Sequence, residues 1–304
     1  MADTRLISNI RRLALLTALL LMPGATVNAA DTESVSLPPD IVIGAGHPGR
    51  GYWGVAARLQ QVAAEHELRV ELRETGGSIE NLRLLAEPEG PVSLVLTQSD
   101  ALVDYLQQNP GFSSEFDVLE SIGDECVFII TATGSGIRTS EDLKADKGYR
   151  LAISGPDSGV AVTFRGMSRM DPAFGNTEVV FMDTVEALEQ IRAGDEDAVD
   201  ALMLVQRPKI RSTEIRQALS QQDRFRLVTV TGDSLTGKLP DGKRVFEQKT
   251  IPMLREKYES GLNLETVCTE GLLLASKDKL SGKARTGLNR IIDFQWMSIY
   301  PTRE

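Results

Sequence analysis

Residues 40–49 read DIVIGAGHPG, an apolar run that leads directly into a glycine-rich loop. The consecutive branched residues Ile41 to Ile43 are typical of a strand that is buried on both faces. Apolar residues then recur at helical spacing from Tyr52 to His66, and Leu68 to Leu72 alternates like a second strand. The stretch therefore predicts a strand, a glycine turn, a helix and a second strand.

Short strands continue to alternate with helical stretches along the rest of the chain. Val92 to Leu96, Arg150 to Ile153 and Ala198 to Val205 are strand patterns, and each is followed by a polar segment. Such alternation is typical of an α/β fold in which mostly parallel sheets are flanked by helices.

Two strand-like runs are expected to cross between two lobes and to form a hinge. They are Cys126 to Ala132 and Phe225 to Val230. The 304 residues exceed the usual size of one compact domain, which favours two lobes. We expect lobe 1 to comprise residues 40–124 and 226–304, and lobe 2 to comprise residues 125–225.

The N-terminus has the pattern of a secretory signal peptide. Positive residues precede an apolar run from Leu13 to Met22, and the small residues of Val27-Asn28-Ala29 follow. The run is about half the twenty residues that a membrane span needs. We expect a signal peptide over residues 1–29, cleavage near Ala29, a tether over residues 30–39 and a periplasmic product. The choice between the general secretory and the twin-arginine export route stays open.

Composition narrows the classes of partner. The formal net charge is −10 and the basic residues form no cluster, so no nucleic-acid partner is expected. With two histidines and two cysteines, we expect no metal site and no cofactor. Cys126 begins a crossing run, Cys268 lies at the start of a further strand pattern from Val267 to Ala275, and an oxidising compartment would let the two form a disulfide at the lobe junction. The product is expected to be a monomer.

Polar loops follow the predicted strands, and several precede helices. In open parallel sheets, ligands bind outside the carboxyl ends of the strands. Glycines there let backbone N–H groups and a helix N-terminus approach an anionic group such as a carboxylate. We therefore expect the ligand-binding residues to be Gly46, His47, Arg50, Tyr52, Trp53, Gly77, Ser78, Asn81, Gln98, Ser99, Asp157, Ser158, Gly159 and Asp183.

The first loop permits a second interpretation. Gly44 to Gly49 spells G-x-G-x-x-G after a strand, which in outline is the fingerprint of a dinucleotide-binding enzyme. However, Pro48 and Gly51 delay any regular helix. No nucleophile elbow is present, and no motif joins His47 to an acidic residue. We expect a binding protein, with no catalytic residues.

The chain resembles the TAXI type of solute receptor that serves tripartite ATP-independent periplasmic (TRAP) transporters. The similar segments are the glycine-rich loop ending at Tyr52-Trp53, the TGGS segment at 75–78 with NLRLL at 81–85, Gln98-Ser99-Asp100, and the turn from Gly155 to Gly159. The resemblance implies the two-lobed type II periplasmic binding protein fold. It also implies capture of a small organic acid or amino acid and delivery to an integral membrane permease.

Two departures from the family pattern concern the ligand. The first loop lacks the family's T-G-G-x-x-G-x-Y-Y sequence, and Val160 stands where a hydroxyl residue often follows the serine–glycine pair. Arg50 is a candidate replacement as a partner for ligand charge. Service to a membrane sensor or to an ABC-type importer stays open as an alternative to a TRAP permease.

Overall fold

The structure is a computed structural model that describes residues 38–209, 211–236, 244–253 and 262–300. From Pro39 onwards the chain forms one compact unit. The strands are β1 Ile41–Gly44, β2 Val70–Arg73, β3 Leu94–Gln98, β4 Phe116–Ala132, β5 Arg150–Ile153, β6 Glu178–Phe181, β7 Ala201–Gln206, β8 Phe225–Val228, β9 Glu247–Met253 and β10 Leu262–Ser276. The helices are α1 Gly51–Glu65, α2 Ser78–Ala86, α3 Ser99–Gln108, α4 Ser140–Lys144, α5 Gly159–Met170, α6 Thr184–Ala193, α7 Thr213–Ser220 and α8 Gly282–Ile299.

Two long antiparallel strands, β4 and β10, form the centre of the sheet, whose order is β2-β1-β3-β10-β4-β7-β5-β6. The parallel strands β1, β2 and β3 join at the end of β10, from Gly271 to Ala275. The parallel strands β5, β6 and β7 join at the end of β4, from Cys126 to Thr131. We call these the first half and the second half of the molecule. The expected α/β architecture of two parallel-stranded lobes is confirmed.

Each half has its own apolar interior because its strands carry branched residues that helices cover. In the first half, α1 and α8 pack on Ile41, Ile43 and Leu96. In the second half, α5 and α6 cover strands β5 and β7, with Phe128 and Met203 fully buried. Burial on both faces explains why these short strands read as continuous apolar runs.

One of the two crossings differs from the sequence-based expectation. The run from Phe225 to Val230 contains β8, which pairs with β4 at Ile129–Ala132 beside the second half. The return crossing is made by the fifteen-residue strand β10 instead. A four-residue strand spans only about 13 Å, and an apolar pattern does not reveal which partner it pairs with. The described contacts of β8 and β9 thus lie on the side of lobe 2, whereas residues 226–304 were assigned to lobe 1. The lobe boundaries as a whole stay a prediction.

A disulfide ties the two crossing strands together. Cys126 and Cys268 lie directly opposite each other in the β4–β10 ladder, and their sulfur atoms are bonded. Both residues are buried. The expected disulfide is therefore present where the two halves meet.

The predicted signal peptide, residues 1–29, lies outside the described residues, as does nearly all of the tether. Across the described ranges, no helix combines the length and the apolar character that crossing a membrane requires.

Candidate ligand-binding site

Helix N-termini from both halves meet at one point. Ser158 caps α5, because its Oγ accepts a hydrogen bond from the Ala161 N–H at 3.2 Å. Gly77, just before α2, has a φ of +128°, a value that favours glycine. A Cβ atom at Gly77 would lie 3.6 Å from both the Gly159 nitrogen and the Ser158 Cα atom. The two halves therefore contact each other at backbone level between α2 and α5.

Polar side chains surround this contact, and all of them except the half-buried Tyr52 are buried. We call Tyr52, Ser78, Gln98, Asp100, Glu125 and Thr163 the junction cluster. The Tyr52 hydroxyl donates to Glu125 Oε2 at 3.0 Å, and the Gln98 N–H donates to Ser78 Oγ at 3.3 Å. Thr163 of α5 donates from its hydroxyl to Asp100 Oδ2 at 2.6 Å, across the boundary between the halves.

Burial changes the protonation of the two carboxyls in the junction cluster. It raises the pKa of Glu125 to about 7, although the Tyr52 hydrogen bond and the Arg207 charge act in the opposite direction. Burial likewise raises the pKa of Asp100 to about 6, against the hydrogen bonds from Thr163 and from the Ala101 N–H. The pKa of Tyr52 is also raised, by burial and by the neighbouring Glu125. The site can thus exchange protons near neutral pH.

A cation approaches the same region from the second half. The Arg207 guanidinium lies over the Tyr300 ring, 4.8 Å from its centroid. Its Nη2 lies 3.5 Å from the Gly51 carbonyl oxygen at the start of α1. Together with the helix N-termini, Arg207 supplies positive potential beside two buried acids. The arrangement can therefore complement a ligand that carries both an anionic group and a proton-donating group.

The structure brings several of the predicted residues to the junction. Tyr52, Ser78 and Gln98 belong to the junction cluster, and Gly77 and Gly159 form its backbone contact. Ser99 lies at the edge, where its hydroxyl is 2.9 Å from that of Thr269. Asp157 contacts Arg83 of α2 across the boundary, at 3.3 Å between Oδ2 and Nη1.

Other predicted residues lie away from the junction. His47 is 60% exposed and pairs with Glu74, and Arg50 is exposed. Asn81 is fully buried and donates to the Leu96 carbonyl, which is a structural task. Trp53 packs on the core of the first half, and Asp183 is an exposed cap of α6.

Gly46 has a structural task in the first loop. Its φ is +72°, and its N–H donates to Thr75 Oγ1 at 3.0 Å. The positive φ favours glycine at this turn, and the hydrogen bond holds the loop against the segment before α2.

Sequence reasoning missed Glu125, Thr163, Thr269 and Arg207. The sequence placed Glu125 next to the apolar run from Cys126 to Ala132, but β4 begins at Phe116 and includes Glu125 in its interior. Thr163 lies within a helical stretch, and only the packing of α5 on α3 brings it to Asp100. No local pattern marks it.

The first loop lacks a feature that the dinucleotide fingerprint requires. In that fingerprint the third glycine permits close packing of the helix on the strand. Here α1 begins at Gly51, and a Cβ atom at Gly49 would meet nothing within 4 Å. The loop therefore does not use its third glycine in that way.

Comparison with known proteins gives a likeness of fold. No protein-family model matches the chain, and no curated protein sequence matches it. Among solved structures, XAC2383 from Xanthomonas citri bound to ATP is similar at a TM-score of 0.50, with 11% identity over 83% of this chain and 82% of that one. The ligand-binding core of GluR0 from Nostoc punctiforme, in complex with L-glutamate, reaches 0.47, with 12% identity over 86% and 97%. The periplasmic VFT2 domain of Bordetella pertussis BvgS reaches 0.44, with 13% identity over 86% and 92%. At 11% identity, the similarity to XAC2383 shows a shared fold and nothing more. The similarities to GluR0 and BvgS, whose TM-scores are below 0.5, add no further argument.

Proposed function

We propose that this protein is a periplasmic solute receptor of the TAXI type, which binds a small organic acid or amino acid between its halves and delivers it to a TRAP permease. The observation that carries the proposal is the junction cluster, where buried polar groups and helix N-termini from both halves converge. Convergent polar groups with shifted pKa values are typical of functional sites.

The ligand class is inferred from the charges at the junction. A carboxylate is complementary to the N–H groups at the start of α5 and to Arg207. An amino or hydroxyl group is complementary to Glu125 and Asp100, whose carboxyls accept hydrogen bonds. A ligand that contacts both halves stabilises the arrangement in which they lie close together. The size of this effect is set by how much more tightly the ligand binds that closed arrangement than an open one.

The proposed role is to bind the ligand without catalysing a reaction on it. The junction carboxyls face a phenol, a threonine hydroxyl and an amide. His47 instead pairs with Glu74 on the exposed loop. Among the described residues at the junction, no hydroxyl is paired with a histidine as a nucleophile would be.

The experiment starts by identifying the ligand. Small molecules released from the purified protein are assigned by mass spectrometry, and each is titrated by calorimetry into wild type, Ser78→Ala and Ser158→Ala. We expect each substitution to weaken binding by about 1–3 kcal/mol, because a hydrogen-bonding group at the junction is lost. Delivery is tested by ligand uptake into vesicles that hold TRAP permease subunits, with and without this protein.

A matched control is available in α8. Ser281 caps α8 as Ser158 caps α5, and its Oγ accepts from the Ala284 N–H at 3.2 Å. Ser281→Ala removes an equivalent cap outside the junction, so we expect it to leave ligand affinity unchanged. Equal affinity of wild type, Ser78→Ala and Ser158→Ala would refute the assignment of the site.

A further inference from the structure

A groove of about 840 Å³ lies beside the junction cluster, between α2 and α3 of the first half and α5, β5 and β6 of the second. Its volume falls in the range of about 300–1,000 Å³ that small-molecule sites occupy. The proposed function makes no use of this groove.

The walls of the groove are largely apolar. Ile79 and Ile153 face it from opposite halves, and Phe164, Val179 and Phe181 continue the apolar surface on the second half. Phe181 is 51% exposed, an unusual position for a large aromatic side chain. An apolar molecule in the groove would cover this ring and gain contact with both halves.

The charges around the groove leave one positive charge in excess. Three arginines line it, and two of them contact the lining aspartates: Arg83 contacts Asp157, and Arg169 contacts Asp104. Arg165 donates to the Pro156 carbonyl at 2.8 Å. Within the described ranges no carboxylate forms an ion pair with Arg165. The whole chain has a formal charge of −10, so the net charge of the groove is opposite in sign to that of the protein.

The groove and the junction cluster use different faces of α5. Ala161, Phe164, Arg165 and Ser168 line the groove, and their spacing of three, four and seven residues defines one helical stripe. Thr163 points instead to Asp100 in the junction cluster. A molecule in the groove therefore need not displace one at the junction.

We propose that the groove is a second ligand site, for a monocarboxylate with an aromatic or branched apolar body. The carboxylate pairs with Arg165, and the apolar body lies against Phe164 and Phe181. A single carboxylate matches the single excess positive charge, whereas a phosphate monoester carries nearly two negative charges at pH 7. Since both halves line the groove, its occupant also favours their contact.

The test is a calorimetric titration with 4-phenylbutyrate and with its neutral isostere, 4-phenylbutanamide. We expect one carboxylate site in the groove and at least about tenfold weaker binding of the amide, because a charged hydrogen bond is lost. Arg165→Gln should weaken carboxylate binding about tenfold or more. Phe181→Ala should weaken both compounds severalfold. Arg290→Gln, on the exposed surface of α8, is the matched control and should change neither affinity.

Three results would overturn the proposal. They are no binding of 4-phenylbutyrate to wild type at 10 mM (roughly the weakest affinity that such contacts would give), equal affinity for the acid and the amide, and full affinity in both Arg165→Gln and Phe181→Ala. A loss of probe affinity in Tyr52→Phe would place the probe in the junction cluster, which also contradicts a groove site. The first three results leave the junction site untouched, because that site is tested with the ligand released from the protein.

Discussion

The two halves of this protein meet at two neighbouring regions that handle charge in opposite ways. At the junction cluster, Glu125 and Asp100 are buried and face neutral partners, chiefly the hydroxyls of Tyr52 and Thr163. In the adjacent groove, carboxylates are paired with arginines, and the Arg83–Asp157 pair is half-exposed. The difference indicates that the junction cluster responds to protons, whereas the half-exposed Arg83–Asp157 pair of the groove contributes little energy.

The largest expected effect concerns the disulfide that joins β4 to β10. The Cys126–Cys268 disulfide closes a loop between residues 142 positions apart. The double substitution Cys126→Ala with Cys268→Ala should therefore lower the free energy of unfolding by about 3–5 kcal/mol, measured by urea denaturation. Reduced wild type serves as the control and should show most of the same loss. Equal stability of the oxidised and the double-variant proteins would contradict a role for this link in holding β4 to β10.

The next effect concerns the proton at Glu125. Its folded pKa of about 7 exceeds its ordinary value of 4.5, so the folded protein holds this proton more tightly than the unfolded chain does. The free energy of unfolding should thus fall as pH rises from about 4.5 to about 7, by about 3 kcal/mol from this group. Asp100 acts in the same direction.

Glu125→Gln should remove most of that decline, because the amide keeps an oxygen for Tyr52 and bears no charge. Urea denaturation at several values between pH 4.5 and 8 measures the difference. Glu189→Gln, on the exposed surface of α6, is the matched control and should keep the wild-type slope. Parallel stability profiles for wild type and Glu125→Gln would show that the buried carboxyl is not protonated as we describe.

The smallest effect concerns the groove. Arg83 Nη1 lies 3.3 Å from Asp157 Oδ2, with side chains 58% and 50% exposed. A double-mutant cycle of Arg83→Gln and Asp157→Asn should give a coupling energy below about 1 kcal/mol that decreases as salt is added. A coupling energy of several kcal/mol that does not change with salt would contradict the conclusion that the ion pair of the groove contributes little energy.

The sequence predicted much of this architecture, because local patterns determine it. Branched apolar runs located β1 and β3. The pairing of Cys126 with Cys268 was also expected and is present, although the two residues lie in the interiors of β4 and β10 and do not begin these strands. The assignment of Phe225 to Val230 as a crossing was wrong. A strand such as β8 has the same sequence pattern whether it pairs with β4 alone or crosses between the halves.

The candidate site was less predictable, because it depends on tertiary contacts. Thr163 and Asp100 are 63 residues apart, and Arg83 and Asp157 are 74 apart. Burial of Glu125 follows from the meeting of the two halves, whereas the sequence shows only that it precedes an apolar run. His47 looked functional beside glycines, but it lies at an exposed turn.

The central claim is that a ligand is trapped where the two halves meet. Spin labels at Glu65→Cys on α1 and Glu189→Cys on α6, both exposed, would report the distance between the halves by double electron–electron resonance. With the ligand released from the protein at saturation, we expect a narrower distance distribution with a different mean from that of the ligand-free protein. The added substitution Ser158→Ala should require more ligand for the same change. Identical distributions with and without saturating ligand would contradict the claim.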